Sequence, residues 1–393
     1  MTTTDYGGNR EARLVRESVQ RQWSGRYGPA RNVDPLLFVA VIGLIALGLV
    51  VVYSATQHRL ELTGADPMHF VNRQLVALGL GVVGMLVVAA VDYRIYRVWA
   101  PVIYALAVVM LIITAATGTT VNASRAWIVF GGFQFQPAEL AKPALILMLA
   151  ALFHERREDA LGMRALVEAV VLAAVPIALI LLQPDLGTAI VFVAITFGVL
   201  LLARVRVRYM IALAVIGIAS MAGAYQLDIL QAYQVERLTT FLNAADADPQ
   251  SAGYNVNQAI IAVGSGQISG QGLFQGTQTS LGYVPENHTD FIFTVIGEEL
   301  GFLGGALLLG LYALLLWRAL RITAAARDTL GMLICAGVVA VFSFQLFINV
   351  GMAVGIMPVT GLPLPFVSYG GTSLIGSLIM VGLLQNVYMR RHT

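Results

Sequence analysis

Residues 35–54 read "PLLFVAVIGLIALGLVVVYS", a run that carries no charge. As a helix it would rise about 30 Å, the thickness of the hydrocarbon core of a bilayer. The rest of the chain repeats the pattern. Charged residues make up 12% of the 393 and hydrophobic residues 58%, whereas a soluble domain carries about twice that charge. Further apolar runs lie near 73–91, 98–117, 138–153, 166–183, 186–203, 209–227, 290–317, 329–350 and 371–388. The expected fold is an all-α polytopic membrane protein of about ten transmembrane helices. Residues 1–34 form a polar, Arg-rich and flexible tail, and residues 35–389 a single transmembrane domain. No cleavable leader is expected, so the first run acts as a signal anchor. Cys335 is the only cysteine, which excludes an internal disulfide and a cysteine metal site.

The arginines set the orientation. If the N-terminus is cytoplasmic and ten spans alternate, 19 of the 24 Lys and Arg residues fall inside. Only Arg59, Arg73, Arg125, Lys142 and Arg237 fall outside. The positive-inside rule then predicts that both termini are cytoplasmic. Runs such as "RVRVR" (204–208) read as topology anchors rather than as nucleic-acid or lipid sites.

On this topology the turn-forming residues gather outside, in 55–72, 118–137, 183–187, about 228–289 and 351–370. A loop as long as 228–289 is usually functional or carries structure of its own. Within it, "NVNQAIIAVGSG" (255–266) reads as a short amphipathic helix. Lys142 is the only lysine, and it follows Glu139 by three residues at the outer start of an apolar helix. The two share a helix face, and a compact ammonium suits a phosphate; the alternative is a snorkelling side chain. Upstream stand Arg125 and Trp127, the latter equally able to serve as an interfacial belt residue. Asp185 in "QPDLG" can cap the helix that follows. Arg237 has Glu236 beside it and reads as one half of a surface ion pair.

The stretch "PENHTDFIFTVIGEELG" (285–301) places Glu286, His288, Asp290, Glu298 and Glu299 at the mouth and first turns of an apolar run. Charge within hydrocarbon is costly, which marks such residues for function. Asp290 lies where loop turns into helix, so both N-capping and catalysis are open to it. A half-buried carboxylate beside an apolar wall suits a general base. Glu298 and Glu299 lie about 12–13 Å deeper along a helix. Finally, "NVGMAVGIMPVTGLPLPFVSYGGTS" (349–373) breaks an apolar region with three prolines and five glycines. Irregular backbone at that depth survives only inside protein or along a cavity, so the segment reads as a cavity wall. Its end, with Ser368 and Gly370, offers backbone N–H groups to phosphate oxygens. Together these residues predict an outward polar cavity for a ligand with an anionic head and a lipid tail.

Those motifs resemble the SEDS family (shape, elongation, division and sporulation), and within it the elongation-type RodA branch. They are "SRAW…FQPAELAK", "QPDLGTA", "ERLTTFLN", "AVGSG…GQGLFQGTQ", "PENHTDFIF…GEELG" and "NVGM…GIMPVTGLPLPFVSYGGTS", in family order over residues 35–389. The resemblance implies a peptidoglycan glycosyltransferase that polymerises lipid II at the outer face of the cytoplasmic membrane. It implies Asp290 as general base, with Lys142, Arg125 and Trp127 around the same cavity. Glu139, His288, Glu286, Ser368 and Gly370 join them as substrate-binding candidates. It further implies a divalent cation, Mg²⁺ or Mn²⁺, with Asp290 or Glu286 as possible ligands, and a class B penicillin-binding protein as partner. The rival readings are a lipid II flippase without chemistry, an idle scaffold for a synthase, and the division-type polymerase of the same family.

Overall fold

The computed structural model describes residues 32–121, 124–130, 133–155, 162–226, 235 and 252–392. In chain order the elements are α1 (Pro35–Leu62), α2 (His69–Ala90), α3 (Tyr93–Thr117), β1 (Thr119–Val121), β2 (Ser124–Phe130) and β3 (Phe133–Phe135). There follow α4 (Pro137–His154), α5 (Met163–Leu181), α6 (Leu186–Leu202), α7 (Val207–Gln226) and α8 (Ala252–Ser265). The chain ends with α9 (Thr277–Ser280), α10 (Ile292–Glu299), α11 (Gly301–Ala324), α12 (Thr329–Ala353) and α13 (Gly371–Met389). Eight of the described helices are long and apolar enough to cross a bilayer, and α6 and α7 are shorter apolar helices. All ten expected apolar positions are therefore helical. Residues 1–31, Arg156, Arg157, Glu236 and Arg237, with their expected roles, lie outside the described residues.

Helix starts follow the sequence. Asp34 caps α1 by accepting from the Leu36 and Leu37 N–H groups at 3.1 and 3.2 Å, and Pro35 supplies the first turn. Asp92 and Asp328 cap α3 and α12 in the same way. Asp34 is fully buried and pairs with Arg318 of α11, so packing already includes the last residue of the expected tail. Small residues set the closest helix approaches, as they do in membrane bundles. A Cβ on Gly81 of α2 would lie 2.5 Å from Leu378 of α13, and one on Gly382 of α13 would lie 2.7 Å from the Met85 carbonyl of α2. Helices α4 and α13 are the most enclosed, with α2, α3 and α5 outside them.

Two features depart from the expectations. Residues 118–137 contain a small antiparallel sheet in the order β1-β2-β3, with Ile128 opposite Phe135 and Phe130 opposite Phe133. Within β2, Arg125 is exposed and Ala126 is buried, the alternation of a half-buried strand. The bundle is otherwise helical, as expected. The expected span at 290–317 is in fact two helices, α10 and α11, broken at Gly301 with φ +63°.

A loop seats itself in that break, backbone against backbone. The Glu298 and Glu299 carbonyls at the end of α10 accept from the Gln271 and Gly272 N–H groups at 2.9 and 3.0 Å. The Phe302 and Leu303 N–H groups at the start of α11 donate to the Gln267 and Ile268 carbonyls at 2.9 and 3.1 Å. Orphan groups at both helix ends are thereby satisfied without water. A Cβ on Gly266 would lie 1.9 Å from the Gly297 carbonyl, and one on Gly301 2.3 Å from the Gly270 nitrogen. Gly301→Ala should therefore destabilise the fold by about 1–3 kcal/mol, read as a lower thermal midpoint in nanodiscs. Gly310→Ala, where an added Cβ meets nothing within 4 Å, should leave the midpoint unchanged or raise it.

Candidate active site

Side chains from α4, α6 and α13 converge at the start of α4. Lys142 and Glu139 lie one turn apart and form a 2.7 Å ion pair, with side chains 0% and 2% exposed. The Lys142 ammonium therefore does not snorkel. One turn earlier, Gln136 donates through Nε2 to Asp185 Oδ2 at 3.1 Å, and its backbone N–H donates to Thr372 of α13 at 3.2 Å. Asp185 also caps α6 by accepting from the Thr188 N–H at 3.0 Å. Burial raises the Asp185 pKa above the ordinary carboxylate value; the Thr188 hydrogen bonds and the charge on Lys142 oppose this, and Glu139 adds to it. Asp185 is thus both a helix cap and part of the charged group around Lys142.

Asp290 enters from the other side. A tight turn winds around the Glu286 carbonyl, which accepts from the N–H groups of Thr289, Asp290 and Phe291 at 3.1–3.2 Å. Glu286 itself is exposed at φ +52°. The N-cap of α10 is Phe291, one residue after Asp290, with no side-chain cap bond of its own. Its side chain is half-buried. Asn349 of α12 fixes the turn by donating through Nδ2 to the carbonyls of Asp290 and Leu362, both at 2.8 Å.

The 354–370 segment is irregular backbone, as its composition predicts, and forms a wall packed between the two groups. At Gly361, φ is +72° and a Cβ would lie 3.4 Å from Asp290 Oδ2. The neighbouring Thr360 carbonyl would lie 2.3 Å from a Cβ on Gly187, two residues beyond Asp185. Residues 360 and 361 are therefore wedged between the Asp290 carboxylate and the start of α6.

The expectation that Ser368 and Gly370 offer free polar groups is corrected by their bonding. Ser368 Oγ accepts from the Leu364 N–H and donates to the Thr289 carbonyl. The Gly370 N–H donates to Gln74 Oε1 at 3.2 Å, and Gln74 Nε2 donates to the Ser368 carbonyl at 3.2 Å. Both residues are fasteners of the wall. Arg125 lies exposed and Trp127 half-buried on one face of β2. His288 is half-buried, with its ring 5.1 Å from Phe70 and 5.8 Å from Tyr369. Glu298 and Glu299 are buried fasteners as well: Glu298 accepts from the Gln278 and Thr279 N–H groups, and Glu299 from Ser54 and the Phe274 N–H. Sequence reasoning passed over Gln74, Gln136, Asn349 and Thr372. The available signal was an uncharged polar side chain within apolar sequence, which needs a partner when buried. Among the described residues, no group of three or more His, Cys, Asp or Glu side chains converges to cage a metal.

The described residues thus form a multi-pass membrane bundle with a charged site beside irregular backbone. The chain belongs to the cell cycle protein family of FtsW, RodA and SpoVE, the SEDS family, whose profile matches residues 35–393. It is 37% identical to stage V sporulation protein E of Bacillus subtilis, over 90% of this chain and 96% of that protein. It is 35% identical to the peptidoglycan glycosyltransferase MrdB of Escherichia coli, over 92% of this chain and 94% of the relative. Among solved structures it is similar to a chain of a peptidoglycan synthase complex that coordinates polymerization and crosslinking. That likeness has a TM-score of 0.77 and 33% identity, and covers 92% of this chain and 99% of the other. It is also similar to the rod shape determining protein RodA of Thermus thermophilus, with a TM-score of 0.67 and 31% identity, over 92% and 98% of the two chains.

Breaking the buried Lys142–Glu139 pair from one side leaves an uncompensated charge. Glu139→Gln alone should destabilise the protein by about 3–5 kcal/mol, and Glu139→Gln with Lys142→Met should recover much of the loss, measured by thermal unfolding in nanodiscs. His288 adds a pH dependence. Burial holds its pKa below the ordinary imidazole value, Arg59 lowers it further and Glu286 opposes both. The unfolded chain then binds the proton more readily, so stability is complete above the unfolded pKa and is lost as pH falls through it. The thermal midpoint should drop between about pH 7.5 and 5.5, and His288→Gln should flatten that slope.

Proposed function

We propose that this protein is a peptidoglycan glycosyltransferase of the elongation type that polymerises lipid II at the outer face of the cytoplasmic membrane. Both termini lie in the cytoplasm on this reading, in keeping with the arginine distribution. The observation that carries it is the half-buried Asp290, held on a pinned turn against the wall that also meets the Lys142–Glu139–Asp185 group. The names of the relatives support the chemistry, and the motif "GTQTSLGYVPENHTDFIF" (276–293) supports the elongation branch.

In the reaction, Asp290 takes the proton from the 4-hydroxyl of an acceptor sugar as that oxygen attacks the anomeric carbon of the donor chain. The bond to the polyprenyl pyrophosphate breaks as the new glycosidic bond forms, with inversion. Inversion in one displacement needs one base rather than the nucleophile and acid of a double displacement. Lys142 acts together with Glu139, the buried pair setting the field at the start of α4, while exposed Arg125 is free to meet the departing pyrophosphate. A bound Mg²⁺ or Mn²⁺ would supply charge neutralisation, held by one carboxylate, Asp290 or Glu286, together with substrate phosphate oxygens. The partner on this reading is a class B penicillin-binding protein, in keeping with the synthase complex that the fold matches.

Asp290→Asn and Asp290→Ala should each lower polymerisation of purified lipid II by about 10²-fold or more, while the thermal midpoint changes little. Glycan strands of normal length from either variant would overturn the assignment. Movement of lipid II across the bilayer without lengthening would favour a transporter.

A further inference from the structure

An apolar groove of about 520 Å³ runs along the membrane-facing surface between α6 and α12. Its walls are residues at helical spacing, from Ile190 to Phe197 on α6 and from Ala340 to Phe347 on α12, with Ser343 the only polar side chain. The helices run in opposite directions, since Gly187 meets Thr360 whereas Gly198 meets Ala340. At the Gly198 end the groove is shut: a Cβ there would lie 2.4 Å from that of Ala340. At the other end it reaches Ile190 and Phe347. One turn beyond these stand Asp185 and Gly187 on α6, and two residues beyond Phe347 stands Asn349, which holds Asp290. The groove is therefore closed at its Gly198 end and runs at the other toward the start of α6, which packs on the 360–361 backbone.

We infer that this groove seats the head-proximal part of the polyisoprenoid tail of the lipid-linked sugar, a deepening that rests on the polymerase reading above. From Ile190 to Phe197 it offers about 10 Å of length at helical rise, enough for the first few isoprene units, with the rest of the tail in the bilayer. Large rings at Phe197, Phe344 and Phe347 alternate with small side chains at Ala194, Ala340 and Ser343. Such a corrugated wall matches a methyl-branched chain better than a straight acyl chain. A tail lying here directs its head toward residues 360 and 361, which adjoin the Asp290 carboxylate.

The test uses full-length protein in nanodiscs, with undecaprenyl lipid II and a geranyl-tailed analogue as substrates. Ala194→Trp and Ser343→Trp fill the groove. Each should lower the ratio of turnover on undecaprenyl to turnover on geranyl substrate about tenfold, by removing the tail's apolar contacts. An unchanged ratio in folded variants would overturn the inference. A benzophenone amino acid at the exposed Val193 gives a readout independent of turnover. An adduct with undecaprenyl lipid II is expected, and adducts with bilayer phospholipid alone would overturn the assignment. Protein that captures the lipid at Val193 without lengthening it would sink the polymerase reading and keep the groove.

Discussion

Asn349 holds the site together. Its amide nitrogen reaches two carbonyls at once, that of Asp290 on one segment and that of Leu362 on another. Both carbonyls belong to irregular backbone beside membrane helices, where each unmet polar group costs several kcal/mol. A single side chain from a rigid helix thus satisfies two such groups and ties the Asp290 turn to the 360–362 segment. The same constraint explains the other buried polar residues. Gln74 brackets Ser368 and Gly370, Glu298 and Glu299 gather the N–H groups of the loop around residues 271–279, and Ser54 completes Glu299. Each broken helix around the site is closed by a side chain or loop from elsewhere in the chain.

The arrangement places rigidity and accessibility on different residues. Lys142, Glu139, Glu298 and Asn349 are all but wholly buried, and Lys142, Glu139, Glu298 and the Asn349 amide nitrogen are tied into structure. Asp290, His288, Glu286 and Arg125 stay partly or fully exposed. A fixed inner frame with reachable outer groups is what a site needs when it must bind a charged head yet keep its own geometry. The apolar groove between α6 and α12 points toward the same 360–361 backbone, which is the basis for the inference that it seats a lipid tail.

Much of this was legible in sequence because it is local. Apolar length marked the helices, the i,i+3 spacing of Glu139 and Lys142 put them on one helix face though not yet in a pair, and Asp185 before "LGT" offered its cap. The proline and glycine density of 349–373 marked the wall. What stayed hidden depends on contacts between distant residues. Ser54 meets Glu299 across 245 positions and Gln74 meets Ser368 across 294, and no periodicity records such pairs. The break at Gly301 was missed because the two glutamates of "GEELGFLGG" (297–305) read as charge within one helix rather than as the end of one. Gly370 looked like an anion site because a backbone N–H carries no sign of the glutamine that claims it.

The central claim is that Asn349 positions Asp290 for proton transfer by tying it to the 360–362 wall. Asn349→Leu keeps the volume and removes both hydrogen bonds, so polymerisation of purified lipid II by this variant is the most direct measurement. The account predicts kcat lower by about tenfold or more, with KM for lipid II little changed. An unaltered kcat in folded Asn349→Leu protein would contradict it.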